Sequence, residues 1–210
     1  MNDERATAGD ELFDEKTVDP DPINQFNRWF ADAKAAGIPM PEAMTMANAG
    51  TDGRPAARML LLKQADASGF VFYTNYRSRK ARELEANPFA ALVFYWQMLD
   101  YQVRVEGPVE RTSPAESDEY FATRPRESQL GAHASPQSEE IADREALDSR
   151  FAEVAEKYGD REVERPEHWG GYRLRPERIE FWKARPGRLH DRLLYERLPD
   201  GTWKLARLAP

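Results

Sequence analysis

Cysteine is absent from the 210-residue chain. That excludes disulfides, thiolate nucleophiles, iron–sulfur clusters and cysteine zinc sites together, and it accords with a cytoplasmic setting. Histidine is scarce, with three residues, and His133 and His168 have no partners at metal-ligand spacing, so no metal site is expected. The longest apolar run, Phe89 to Trp96, is far shorter than the roughly 20 residues a bilayer-spanning helix needs, so no membrane association is expected. The acidic start carries no apolar signal core, and no secretion signal is expected there. The chain also lacks G-x-G-x-x-G, a P-loop, G-x-S-x-G and H-E-x-x-H, which removes the best-signalled nucleotide, serine-hydrolase and zinc-peptidase chemistries.

What is present is enough for a buried core. Apolar residues make up 40% of the chain, with five Trp, eight Tyr and ten Phe. A length of 210 residues fits one domain. The formal charge of −7 is unevenly spread: residues 1–22 hold eight acids and two bases, whereas residues 172–210 hold ten bases and five acids. An acidic tail over residues 1–20 followed by a single domain over 21–210 is the expected organisation. Such a balance does not favour free nucleic acid as a partner, although the cationic C-terminal stretch leaves small anions open.

The local pattern predicts a helix opening at Asp21-Pro22, with Ile23, Phe26, Phe30 and Ala33 at helical spacing and Gly37, Pro39 and Pro41 beyond its end. Strand patterns follow at Ala43–Ala49, Arg58–Lys63, Phe70–Thr74, Ala90–Trp96 and Tyr101–Glu106, with a short helix at Ser78–Ala86. Ser113-Pro114-Ala115-Glu116 is a capping box, and its helix is expected to stop at Arg124 before Pro125. A longer helix is expected within Glu139–Tyr158, then strands at Gly171–Lys183, Leu189–Leu198 and Thr202–Leu208. Strands without regularly alternating crossover helices point to an α+β, mainly antiparallel barrel or sheet.

Four clusters carry potential chemistry. Ser78-Arg79-Lys80-Ala81-Arg82 places cations at a helix N-terminus, a natural phosphate cradle, although Arg79 and Glu83 also read as an ordinary i,i+4 pair. Arg58 and Lys63 flank Leu60–Leu62 and fall on opposite faces of a regular strand, so they need not serve one group. Tyr120 and Arg124 share a helix face if the helix persists, with Ser128 past the proline, a set suited to phosphate. Arg188, His190 and Arg192 point the same way in an extended strand and form a cationic group. Trp182 offers a stacking surface, and Gln102, Gln137 and Ser138 offer neutral hydrogen bonds. These residues favour binding of phosphorylated small molecules and name no reaction.

The segments RMLLLK (58–63), GFVFYTNYRSRKA (69–81), QVRVEG (102–107), YFATRPRESQLGA (120–132), SPQS (135–138), WGGY (169–172), IEFW (179–182), RLHDR (188–192) and RLAP (207–210), in this order, resemble the pyridoxine/pyridoxamine 5′-phosphate oxidases. The resemblance implies an FMN-binding split β-barrel with flanking helices, acting in vitamin B6 metabolism as a cytoplasmic homodimer with FMN at the interface. It implies FMN contacts at Arg58, Met59, Leu60, Leu61, Leu62, Lys63, Tyr73, Thr74, Arg79, Lys80, Gln102, Gln137, Ser138, Trp182 and Arg192. It implies substrate contacts at Lys63, Tyr120, Arg124 and Ser128 around a phosphate, with Arg188 and His190 as the catalytic pair over the pyridine ring. The implied reaction passes hydride from C4′ of pyridoxine or pyridoxamine 5′-phosphate to N5 of FMN, which O2 reoxidises to give hydrogen peroxide. Two departures stand out: Tyr101 precedes the QV motif where the family often has Arg, and Ala8 stands where an R-x-x-Y element starting at Arg5 would place Tyr. The alternatives are a flavin oxidase with another substrate on the same scaffold, or a non-catalytic flavin- or pyridoxal-phosphate-binding protein.

Overall fold

The computed structural model describes residues 13–210; Arg5 and Ala8 lie outside the described residues. Helix α1 (Pro22–Ala35) begins where the sequence predicts, with the Asp21 carboxylate accepting from the Ile23 N–H at 2.8 Å. Then follow β1 (Ala43–Ala49), β2 (Pro55–Leu61), β3 (Gln64–Asp66), β4 (Gly69–Asn75), α2 (Arg79–Ala86), β5 (Phe89–Trp96) and β6 (Tyr101–Arg111). The second half adds α3 (Pro114–Ala122), α4 (Arg126–Ala134), α5 (Arg144–Tyr158), β7 (Trp169–Leu174), β8 (Arg178–Lys183), β9 (Asp191–Arg197) and β10 (Trp203–Arg207). None of the described helices is long and apolar enough to cross a membrane.

All strand pairings are antiparallel, in the order β10-β9-β8-β6-β5-β1-β2, with β3, β4 and β7 forming a branch that returns to β6. Strand β6 is the pivot. One edge pairs with β5 along its length, while the other is shared between β8, from Tyr101 to Glu106, and β7, from Val109 to Arg111. The change of neighbour falls at Gly107-Pro108. A Cβ on Gly107 would drive into the Arg175 carbonyl oxygen, so only glycine lets the two branches meet there. This curled, forked sheet with helices on its flanks is a split β-barrel of the α+β, mainly β class.

The barrel interior is aromatic. Phe26 of α1 is fully buried, edge-on to Phe70 at 4.9 Å and to Phe94 at 5.0 Å, so the helix plugs the barrel. Trp29 stacks on Tyr101 at 3.9 Å and meets Phe181 edge-on at 5.2 Å. Tyr101, in the place of the family's Arg, therefore packs against α1. A second core of Phe121, Leu130, Ala132, Val163 and Trp169 lies under α3, α4 and α5.

Four details differ from the sequence expectation. First, residues 13–20 are docked and do not trail as a tail: Phe13 is buried against Trp29 at 4.8 Å, and the Tyr195 hydroxyl donates to the Asp19 carbonyl at 2.7 Å. Second, α3 stops at Ala122, because the Thr123 hydroxyl and N–H both turn back to the Tyr120 carbonyl ahead of Pro125. The chain restarts as α4, which has no counterpart among the predicted elements. Third, Gly171–Lys183 is split between two strands that share β6 as a neighbour, β7 pairing also with β4 and β8 also with β9. Fourth, Arg188 and His190 are not in a strand. Gly187 and Arg188 take φ of 68° and 61°, closing a turn that delays β9 until Asp191. Alternation along a strand therefore does not align Arg188, His190 and Arg192.

Candidate active site

A cleft of about 670 Å³ opens between the end of β2, β4 and the α3–α4 region. Met59, Leu60 and Leu61 form one wall, and Lys63, Tyr73, Thr74, Tyr120, Arg124, Ser128, Gln137 and Trp169 are among its other lining residues. Tyr73 stacks on Tyr120 at 4.0 Å and on Trp169 at 5.4 Å, giving a flat aromatic floor. Burial, followed by the nearby Glu116 charge, pushes the Tyr73 phenol up to about 12, so it stays protonated.

Arg124 lies across this floor, with its guanidinium 4.4 Å over the Trp169 ring. Its Nη1 is buried without a hydrogen-bond partner, and burial lowers the pKa of the group. A buried guanidinium nitrogen left unpaired is costly unless an acceptor arrives. Tyr120 and Ser128 border the same space, and the Lys63 Nζ sits 5.9 Å from the Tyr120 ring centre. Ser128 is brought there by the first turn of α4, where its N–H donates to the Pro125 carbonyl at 2.8 Å.

A second cationic cradle adjoins the cleft. Lys80 is 8% exposed, and its ammonium reaches Thr74 Oγ1 at 3.1 Å, Gln137 Oε1 at 3.0 Å and Ser78 Oγ at 3.4 Å. None of these partners is charged. Burial, followed by repulsion from Arg58, lowers its pKa to about 8. Ser78 caps α2 and accepts from the Ala81 N–H at 3.4 Å, so the ammonium sits at a helix N-terminus. Arg58 and Arg79 converge on Glu83, at 3.2 Å and 2.7 Å. Burial works to raise the Glu83 pKa, but the hydrogen bond and charge of Arg79, with Arg58, hold it below the usual range. The donor set of two arginines, one buried lysine, two hydroxyls and an amide fits a phosphate monoester. With the Arg124 group it makes two separate anion cradles, as FMN beside a phosphorylated substrate would require.

The remaining predicted residues lie elsewhere in the protomer. Gln102, Trp182 and Arg192 sit directly opposite one another on β6, β8 and β9 and form one cross-strand row, continued by Tyr95 on β5. Arg192 Nε binds Glu180 Oε1 at 2.7 Å, and Arg104 Nη2 lies 3.2 Å from Glu180 Oε2, which sets a 4% exposed carboxylate between two cations. The His190 ring packs 4.6 Å from Trp182, and Arg188 is exposed in the turn before it. None of these five residues lines the cleft. The side chain of Leu62 points into the core, and Ser138, at φ 72°, is exposed beyond Gln137. Sequence reasoning missed Trp169 as the platform under Arg124 and Glu83 as the anchor of Arg58. Only the i,i+4 spacing to Arg79 hinted at the latter.

Comparison with known proteins places this geometry. Residues 30–158 match the family model described as pyridoxamine 5′-phosphate oxidase, and residues 169–210 match the pyridoxine 5′-phosphate oxidase C-terminal dimerisation region. The chain is 60% identical over 196 residues to the pyridoxine/pyridoxamine 5′-phosphate oxidase of Rubrobacter xylanophilus, covering 93% of this chain and 90% of that one. It is 56% identical over 199 residues to that of Burkholderia vietnamiensis, covering 94% and 92%. Among solved structures, PhzG from Burkholderia lata 383, in complex with tetrahydrophenazine-1-carboxylic acid, superposes with a TM-score of 0.89 at 36% identity, covering 96% and 98%. A pyridoxamine 5′-phosphate oxidase-related, FMN-binding protein from Nostoc punctiforme shares the fold, with a TM-score of 0.73 at 18% identity, covering 92% and 100%. With its forked barrel and paired anion cradles, the chain is an oxidoreductase and belongs to the pyridoxine/pyridoxamine 5′-phosphate oxidase family.

Proposed function

We propose that this chain oxidises pyridoxine 5′-phosphate and pyridoxamine 5′-phosphate to pyridoxal 5′-phosphate, with FMN as cofactor and O2 as electron acceptor. Residues 21–210 form the catalytic domain, and the enzyme works as a homodimer with FMN at the interface. The observation that carries the reading is Arg124, whose Nη1 is buried without a hydrogen-bond partner and which lines the cleft together with Lys63, Tyr120 and Ser128. It supports a substrate phosphate there, and it weighs against a related oxidase acting on an unphosphorylated substrate.

FMN, when bound, supplies the redox chemistry, accepting hydride from C4′ at N5 and passing the electrons to O2 to give hydrogen peroxide. The protein's part is binding and orientation. Lys80, Arg58, Arg79, Thr74, Gln137 and Ser138 would hold the cofactor phosphate, and Met59 to Leu62 with Lys63 would complete the cofactor's binding segment. Lys63, Tyr120, Arg124 and Ser128 hold the substrate phosphate. Gln102, Trp182 and Arg192, with Arg188 and His190, act from the second copy of the chain. That assignment is supported by their distance from the cleft along the sheet and by the match of residues 169–210 to a dimerisation region. It is also supported by the exposed apolar face they share with Met59, Leu61 and Tyr95, which are 62%, 39% and 55% exposed in one protomer. Arg188 and His190 are the side chains assigned to the reacting carbon. For the amine, water hydrolyses the resulting imine and ammonia leaves.

The test is pyridoxal 5′-phosphate and peroxide formation by FMN-loaded protein in aerated buffer, with pyridoxine 5′-phosphate as substrate. The two products should appear in equal amounts. Arg188→Ala should lose most turnover while retaining FMN, and near-normal turnover in that variant would remove Arg188 from the site.

A further inference from the structure

We propose that an ion chain, Glu15–Arg207–Asp191–Arg185, positions the His190 ring and holds it as the Nε2–H tautomer, making the segment ahead of α1 a working part of the active site. The inference rests on the reading above only in assigning His190 to the substrate.

The turn that carries Arg188 and His190 has little to hold it. Gly187 and Arg188 both take left-handed backbone angles, Leu189 is 72% exposed, and the hydrogen bond inside the turn, from the Leu189 N–H to the Pro186 carbonyl, is long at 3.4 Å. A non-glycine residue at positive φ is a strained position that its surroundings must maintain. Those surroundings are ionic. Arg185 Nε binds Asp191 Oδ2 at 2.6 Å, closing the two ends of the turn on each other. Arg207 Nη1 binds the other Asp191 oxygen at 2.8 Å. The rest of the Arg207 fork grips Glu15, Nε to Oε1 at 2.9 Å and Nη2 to Oε2 at 2.8 Å. One planar guanidinium thus joins the C-terminal strand, the catalytic turn and the N-terminal segment, which a lysine ammonium could not do with the same geometry. The hydrogen bond from Arg207, aided by its charge, pulls the Glu15 carboxyl down to about 2, so Glu15 is ionised at neutral pH. Glu15 and Arg207 are 44% and 39% exposed, and an ion pair so open to water adds little to stability. Its value is geometric.

The consequence reaches the imidazole through the backbone. The Arg185 N–H donates to His190 Nδ1 at 3.2 Å. A ring nitrogen that accepts must carry its lone pair, so in the neutral ring the proton sits on Nε2. Trp182 holds the ring from one side at 4.6 Å. His190 is thereby set to donate from Nε2 to an acceptor on the ligand. If the Asp191 clasp loosens, Arg185 moves and the ring is free to exchange tautomers.

The chain contains three histidines, so nitrogen NMR of the FMN-loaded, 15N-histidine-labelled protein is readable, and His190→Gln assigns the signal. In the wild type, Nδ1 should be unprotonated and Nε2 protonated. In Glu15→Gln and in Arg207→Lys, both nitrogens should move toward the values of a mixed population. In the same variants kcat should fall about tenfold, while KM and FMN affinity stay within about twofold. His190 nitrogen shifts identical to wild type in both variants would overturn the proposal. A tautomer change with no effect on oxidase turnover would leave the ion chain standing and instead remove His190 from the reaction.

Discussion

Raising the pH from 7 to 9 should weaken FMN binding by about tenfold, and the reason is Lys80. Its ammonium is buried among neutral oxygens, with a pKa near 8 in the free protein. A phosphate in the cradle favours the charged lysine. Below pH 8 the proton is already present and binding needs no uptake; above pH 8 each bound phosphate must draw one from solution. The protonated fraction falls from about nine-tenths at pH 7 to about one-tenth at pH 9, a factor of ten or about 1.4 kcal/mol of binding free energy. The linked stability effect has the opposite sign. A lysine with a folded pKa below its unfolded value of about 10.4 binds fewer protons when folded, so between pH 8 and that value it adds stability to the ligand-free protein as pH rises. The assay is quenching of flavin fluorescence at each pH. Riboflavin, which lacks the phosphate, is the control ligand, and Lys80→Arg, whose charge does not titrate, is the control protein. Equal pH slopes for FMN and riboflavin, or an unchanged slope in Lys80→Arg, would refute the assignment of this cradle to phosphate.

Three further outcomes are expected. Arg124→Ala should lower kcat/KM for the phosphorylated substrate by roughly a hundredfold, the scale of a lost charge-assisted contact, with FMN affinity unchanged; an unaltered KM would place the substrate phosphate elsewhere. Gly107→Ala should destabilise the fold by at least about 2 kcal/mol, because the new methyl meets the Arg175 carbonyl where β6 changes neighbours; urea midpoints measure it, and a neutral result would contradict the close approach. Phe26→Ala should cost about 3–5 kcal/mol and lower Tm by roughly 10 °C, since the ring is fully enclosed by Phe70, Phe94 and Trp96; a loss below about 1 kcal/mol would mean α1 does not plug the barrel.

Much of this protein is local physics that the sequence states directly. Asp21 and Ser113 each sit one residue ahead of a helix and accept from its first free N–H groups, as their side chains and neighbours predict, and Ser78, expected inside its helix, does the same. Arg58 and Lys63 do part, Arg58 to Glu83 and Lys63 to the cleft, but not by strand alternation, because β2 runs Pro55–Leu61 and ends before Lys63. The motif order, taken together, was enough to indicate the family and its fold. Other features depend on contacts between distant residues, which no local pattern encodes. Thr74 meets Gln137 across 63 positions, and Lys80 joins them only because β4 and the end of α4 are packed side by side. The orphaned Arg124 nitrogen exists because α3 breaks at Thr123 and the guanidinium falls across Trp169, 45 positions further on. Strand alternation mispredicts Arg188 and His190, because two consecutive left-handed residues bend the chain before β9 begins. The sequence determined which residues could bind anions and which segments could be helix or strand, since both follow from neighbours a few positions apart. The tertiary structure alone decided which cations share a cradle, which stand on the far part of the sheet and which are held by Glu15 and Asp191, because those relations arise only when burial brings distant segments together.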